Sequence, residues 1–132
     1  VTVTPPVLWE PDQSRIERAT ITHYAQWLAE TGGVQTNGYH DLWRWSVTEL
    51  EAFWGSIWDY FDVRSSQAYG SVVDSRSMPG ARWFPRARLN YAAHAYRHRD
   101  PETVAVRHAS ELRPLAETTW GELAEATRRT AA

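Results

Sequence analysis

Leu50-Glu-Ala-Phe-Trp-Gly-Ser-Ile-Trp-Asp-Tyr-Phe61 is the stretch on which the reading of this chain turns. Leu50, Phe53, Trp54, Ile57, Trp58 and Phe61 stand at i, i+3, i+4, i+7, i+8 and i+11, the spacing of one wide apolar face on a helix. Glu51, Ser56, Asp59 and Asp62 occupy the other face. Immediately upstream, Ser46-Val-Thr-Glu49 has the form of a capping box. In that motif the hydroxyl accepts an orphan amide and the Glu reaches back to the cap amide. The helix is therefore expected to open near Val47, with Trp54 and Trp58 in the core.

Outward from this helix, a short helix is expected over Tyr39 to Trp45, preceded by a loop over Val34 to Gly38. Asp12 to Ala29 carries a helical pattern that Thr31-Gly32-Gly33 stops. The run Thr20-Ile21-Thr22 is a poor helix former and predicts a break there. The residues up to Pro11 read as extended. Val63 to Pro85 is rich in Ser, Gly and Pro, and should wander with a turn at Met78-Pro-Gly80. Leu89, Ala92, Ala93 and Tyr96 mark a further short helix. Thr103 to Arg107 alternates like a strand, with Leu115 to Thr118 as its hairpin partner. A second capping box, Thr119-Trp-Gly-Glu122, opens a last helix. That helix runs into Ala131-Ala132 without a Gly or a cap, so the sequence is expected to be cut from a longer chain.

Composition removes several functions. The 132 residues include eight Trp and no Cys, which leaves no disulfide, thiolate nucleophile or cysteine zinc site. All 14 basic residues are Arg. Without Lys there is no Schiff base and no P-loop lysine. The net charge of −2 gives no electrostatic case for nucleic acid. No run of 18 apolar residues predicts a membrane span, and Val1 to Pro6 lacks the form of a secretory signal.

Candidate sites are sparse. His94 and His98 have a spacing that can hold a metal on a helix, with Asp100 close behind. No Glu base lies between them and no third ligand has a fixed place, so an exposed helix end is the preferred reading. Gly32-Gly33 follows a helix instead of opening one and makes a poor phosphate cradle. Glu49 and Glu51 are two apart and do not converge. Ser65-Ser66 has no His nearby in sequence to build a triad. No catalytic, cofactor-binding or metal-binding residue is assigned.

Several segments together resemble the N-terminal region of acetoacetyl-CoA synthetases. They are Leu8-Trp-Glu-Pro11, Tyr39-His-Asp-Leu-Trp-Arg-Trp-Ser46, Phe53-Trp54, Ile57-Trp-Asp-Tyr-Phe61, Met78-Pro-Gly-Ala-Arg-Trp-Phe-Pro85 and Arg88-Leu-Asn-Tyr-Ala92. Acetyl-CoA synthetases share a weaker version. Arg86 and Ala93 depart from the usual wording of the family. The resemblance implies an ATP-dependent acid–thiol ligase that converts acetoacetate, ATP and CoA to acetoacetyl-CoA, AMP and pyrophosphate, with Mg2+, in the cytoplasm. The family's phosphate loop and catalytic Lys lie downstream of the region matched, so this chain alone is expected to be inactive.

The implied fold is α+β. A mostly helical N-terminal lobe, residues 1–100, is followed by a hairpin and helix, residues 101–132, that begin a truncated larger α/β domain. The implied partner is that large domain. Trp43 and Trp45 are two apart and cannot share a helical face, so one of them should pack on it. Arg82, Arg86 and Arg88 flank Trp83 and Phe84. They read either as a nucleotide or CoA 3′-phosphate patch or, preferably, as an interdomain seam. The docking set is thus Trp43, Trp45, Arg82, Trp83, Phe84 and Arg88. Without the large domain, the segment from Thr103 onward is expected either to self-associate or to be disordered. The alternatives are another short-chain acyl-CoA synthetase and a stand-alone aromatic-rich binding module.

Overall fold

The computed structural model describes residues 7–131. Its elements are α1 (Gln13–Glu17), α2 (Thr20–Thr31), α3 (Tyr39–Thr48), α4 (Leu50–Tyr60), β1 (Val73–Ser75), β2 (Arg82–Trp83), α5 (Tyr91–Tyr96), β3 (Val104–Ser110), β4 (Arg113–Thr119) and α6 (Trp120–Ala131). The chain is α+β, as expected, with two separate two-stranded antiparallel sheets. It divides into two compact units: the residues up to Val63 with Tyr69–Ala87, and Arg64–Ala68 with the chain from Arg88 onward. The boundary read from the sequence at residue 100 falls inside the second unit, between α5 and β3.

In the first unit, residues 7–11 form no helix or strand, and residues 1–6 of the expected extended stretch lie outside the described residues. Asp12 caps α1: its Oδ1 accepts from the Arg15 amide at 2.8 Å and from the Ser14 hydroxyl at 2.8 Å. These two donors hold the Asp12 carboxyl below the usual carboxylate range. The break between α1 and α2 falls at Arg18–Ala19, just before the Thr-Ile-Thr run, and the Thr22 hydroxyl seals it by donating to the Ile16 carbonyl at 2.6 Å. Gly33 takes φ +65°, the left-handed turn that ends α2.

The core of this unit is small. Tyr24 and Leu28, one helical turn apart on α2, meet Leu42 of α3; Trp27, Val34, Trp45, Phe53, Ile57 and Tyr60 pack half-buried around them. The Ser56 hydroxyl gives its one proton to the Phe53 carbonyl at 2.7 Å, which leaves it to accept from the Tyr24 hydroxyl at 2.6 Å. Burial pushes the Tyr24 phenol above its ordinary value, an effect the Ser56 contact partly offsets.

Three expectations are corrected here. Ser46 does not cap a helix. It lies within α3, which runs on to Thr48, and its hydroxyl donates back to the Trp43 carbonyl at 2.7 Å. The same back-bonding holds Thr48 against Arg44 at 3.1 Å, so the chain stays helical through the motif. The break falls instead at Glu49, with φ −107° and ψ 57°, and no side chain caps α4. Trp54 is 39% exposed and not part of the core. The apolar face of α4 is divided: Phe53 and Ile57 turn to the Tyr24 cluster, while the half-buried Trp58 packs on Tyr69 at 5.0 Å and Phe84 at 4.7 Å. The Val63–Pro85 stretch also contains the pair β1–β2, with Val73 buried. Strands of three and two residues are too short to leave a periodic signal.

In the second unit, the Asn90 side chain caps α5 by accepting from the Ala93 amide at 3.1 Å. The expected hairpin forms as β3–β4, with Val104 opposite Thr119 and Arg107 opposite Glu117, whose side chains pair at 2.8 Å. The capping box at Thr119 closes in both directions. The Glu122 amide donates to the Thr119 hydroxyl at 3.2 Å, and the Thr119 amide to the Glu122 carboxylate at 2.9 Å. Gly121 lets α6 approach Pro101, whose Cβ and carbonyl oxygen would stand 3.2 Å from any added Cβ. Trp120 sits under the Arg99 guanidinium at 4.9 Å and edge-on to Tyr96 at 5.9 Å. No described residue of β3, β4 or α6 is fully buried.

Leu28→Ala should destabilise the first unit by about 2–5 kcal/mol, and Trp54→Ala by clearly less. Urea unfolding of the two variants checks this, and equal losses would place Trp54 back in the core. Because the raised Tyr24 value favours the neutral phenol in the folded chain, its contribution is complete below pH 10 and is lost as pH rises through the raised value. Tyr24→Phe should therefore flatten the alkaline decline in unfolding free energy between about pH 9 and 11. Parallel declines for both proteins would contradict it.

Candidate docking site

Gly38, at φ +94°, turns the chain into α3. The helix then sorts its aromatic residues by phase. Leu42 points into the core and Trp45 packs half-buried, edge-on to Phe53 at 5.8 Å. Trp43 points away and is 53% exposed. Tyr39, Trp43 and Val47 are four apart, so they form one outward apolar stripe, and each is at least half exposed. Against this stripe lie two adjoining open cavities. One of about 360 Å³ is lined by Tyr24, Leu42, Trp43, Phe53 and Phe61 among others. The other, about 470 Å³, is lined by Ile16, Ala25 and Ala29, and shares Ile21, Tyr39 and Leu42 with the first. The walls are mainly apolar, with Thr, Ser and Gln side chains but no carboxylate or guanidinium, an arrangement suited to receiving apolar side chains and not to acid–base chemistry.

The other residues singled out in the sequence fall elsewhere. Arg82 is forked onto Asp74 at 3.0 and 2.9 Å, so its guanidinium is engaged within the chain. Trp83, 40% exposed, lies 5.6 Å from Trp54, and through Trp54 and Phe53 a series of ring contacts reaches Trp45. Phe84 takes φ +45° and spends its ring on Trp58 and Tyr69. Arg88 belongs to the second unit, where its backbone bridges Gln67. Tyr39, Val47, Ile21 and Phe61 were missed as members of the exposed face. The i, i+4, i+8 spacing of Tyr39, Trp43 and Val47 was the available signal.

The glycine pair and the histidine pair singled out in the sequence do not assemble into sites. Gly32 and Gly33 close the C-terminal end of α2, where carbonyls and not amides are exposed. The α5 helix ends at Tyr96, so His98, at φ +59°, leaves the helical face of His94. The His94 Nε2 is already within hydrogen-bond distance of the Arg64 backbone, at 2.9 Å from its oxygen and 3.2 Å from its nitrogen. Among the described residues no three His, Asp or Glu side chains group as metal donors, and no helix is long and apolar enough to cross a membrane.

Residues 39–95, which contain the outward stripe, match the family described as acetyl-coenzyme A synthetase N-terminus. The acetoacetyl-CoA synthetase of Gallus gallus is 33% identical over 123 residues, 91% of this chain. The corresponding protein of Rhizobium meliloti is 33% identical over 88% of the chain. A solved acetoacetyl-CoA synthetase from Streptomyces lividans superposes with a TM-score of 0.81 at 46% identity, covering 90% of this chain. The chain is similar over most of its length to part of these acetoacetyl-CoA synthetases. It spans about 18% of the Gallus gallus and Rhizobium meliloti relatives and 19% of the Streptomyces chain. A malonamoyl-CoA synthetase of Penicillium aethiopicum is 32% identical over 93% of this chain and matched over 18% of its own length. Relatives named for different acids therefore share this region about equally.

Trp43→Ser should change unfolding free energy by less than about 1 kcal/mol, because the ring already stands in solvent. It should at the same time lower the fluorescence of an apolar dye bound to the chain. A large stability loss would show that Trp43 is a core residue and not part of an open docking face.

Proposed function

We propose that this chain is the N-terminal docking lobe of a cytoplasmic, ATP-dependent acid–thiol ligase that converts acetoacetate, ATP and CoA to acetoacetyl-CoA, AMP and pyrophosphate. The mainly apolar groove beside Tyr39 and Trp43 carries the reading, since its surface is matched to packing and it holds no carboxylate or guanidinium. On this reading the groove covers part of the large domain of the same ligase, residues 101–132 supply that domain's first hairpin and helix, and nucleotide, Mg2+ and CoA are held by that domain. The identity to acetoacetyl-CoA synthetases along most of the chain supports acetoacetate as the acid. The Penicillium relative favours, as the second reading, another short acid of the same reaction class. With the groove and the hairpin uncovered, copies of the isolated chain are drawn to one another.

The test is a chimera in which this chain replaces the matching region of the Streptomyces lividans enzyme. The chimera should form acetoacetyl-CoA, and Trp43→Asp in it should reduce activity or soluble yield. The 132-residue chain alone should give no acetoacetate-dependent pyrophosphate exchange, and its sedimentation should rise with concentration. A folded but inactive chimera, or exchange by the isolated chain, would overturn the proposal.

A further inference from the structure

We propose that Asn37 is a site of spontaneous covalent modification. Its carboxamide is lost through a five-membered imide closed onto the Gly38 amide nitrogen, which leaves isoaspartate and aspartate at the entrance to α3 and alters the rim of the apolar groove. Water is the only co-reactant, and the inference does not depend on the ligase reading.

Asparagine is a chemically labile side chain, and this chain holds it at two positions, Asn37 and Asn90. The two differ in what the reaction needs. Asn37 precedes Gly38, whose missing side chain leaves its nitrogen open to approach, and no atom lies within 4 Å of where a Gly38 Cβ would stand. Asn37 is exposed, in the bend that leads into α3. Among the described residues its carboxamide has no hydrogen-bond partner, and the Gly38 amide donates to no acceptor. The Asp41 carboxylate takes the Asn37 backbone amide, at 3.2 Å, one residue short of the attacking nitrogen. Asn90, by contrast, precedes the bulky Tyr91, and its Oδ1 is held by the Ala93 amide at 3.1 Å as the cap of α5.

In the first step the Gly38 nitrogen bonds to the Asn37 Cγ, and its proton leaves with the carboxamide nitrogen as ammonia. Water then adds to one of the two imide carbonyls. Breaking the bond from the Gly38 nitrogen to Cγ gives aspartate in the ordinary main chain. Breaking the bond to the Asn37 backbone carbonyl carbon gives isoaspartate, whose main chain runs through Cβ and Cγ. In sum, asparagine and water become the acid and ammonia. Both products add a negative charge next to the backbone that Asp41 already anchors. Isoaspartate also lengthens the main chain by one methylene just before Gly38 and Tyr39, which wall the larger cavity together with Gln35 and Thr36. The groove, whose walls hold no carboxylate, thereby gains one at its rim.

Ageing the 132-residue chain in mildly alkaline buffer, followed by peptide mapping, tests this. Asn37 should gain about one mass unit while Asn90 stays unchanged, and part of the product should accept a methyl group from an isoaspartate-specific methyltransferase. The folded chain should convert within about threefold of the rate of a free peptide spanning residues 35–41, because the fold holds neither reacting group. As conversion proceeds, the fluorescence of an apolar dye bound to the chain should fall. Asn37→Ser, aged alongside, should keep both its charge and its dye signal. The proposal is overturned by an unchanged Asn37 in a folded chain whose free peptide converts, by equal conversion of Asn90, by a dye signal that survives full conversion, or by an equal loss of that signal in Asn37→Ser.

Discussion

The contact of Leu28 and Tyr24 with Leu42 is the constraint from which the first unit follows. One turn of α2 stacks the two side chains, and α3 can reach them only with Leu42 inward. That phase leaves Trp45 beside the core and sends Tyr39, Trp43 and Val47 out. The hydroxyl relay from Tyr24 through Ser56 to the Phe53 carbonyl then fixes α4 against α2. A core of so few fully buried side chains leaves Ile21, Tyr39, Trp43, Val47 and Trp54 of three helices exposed. The exposed apolar stripe of α3 is thus a direct result of the phase that Leu42 sets.

Much of this was legible in the sequence, and the failures have local causes. Two segments, Ser46 to Glu49 and Thr119 to Glu122, carry the same capping pattern, but only the second caps a helix. Thr119 ends a strand, so its backbone is already extended as a cap must be. Ser46 follows seven helical residues and bonds back to Trp43 instead. The periodicity of α4 was real, but it does not say how many neighbours share a face. Phe53 and Ile57 serve one neighbour and Trp58 another, and Trp54 falls at the edge between them.

The candidate site divides in the same way. That Trp43 and Trp45 must face opposite ways followed from helical geometry alone. Which of them faces outward depended on Leu42, a tertiary fact. Arg82 and Phe84 looked available because their partners, Asp74 and Trp58, are 8 and 26 residues distant in sequence.

The series of rings from Trp45 through Phe53 and Trp54 to Trp83 also has an optical consequence. Trp54 and Trp83 lie 5.6 Å apart with their planes inclined at 59°. Two indoles that close and that oblique couple their excited states, so their ultraviolet transitions split into a pair of circular-dichroism bands of opposite sign. The amplitude of that couplet depends on the distance and angle between the two rings, which stand on α4 and β2. The chain therefore carries its own chromophore pair at the join between α4 and the two-residue strand β2. A movement of that strand that turned or displaced the Trp83 ring would change the couplet even with the helices intact.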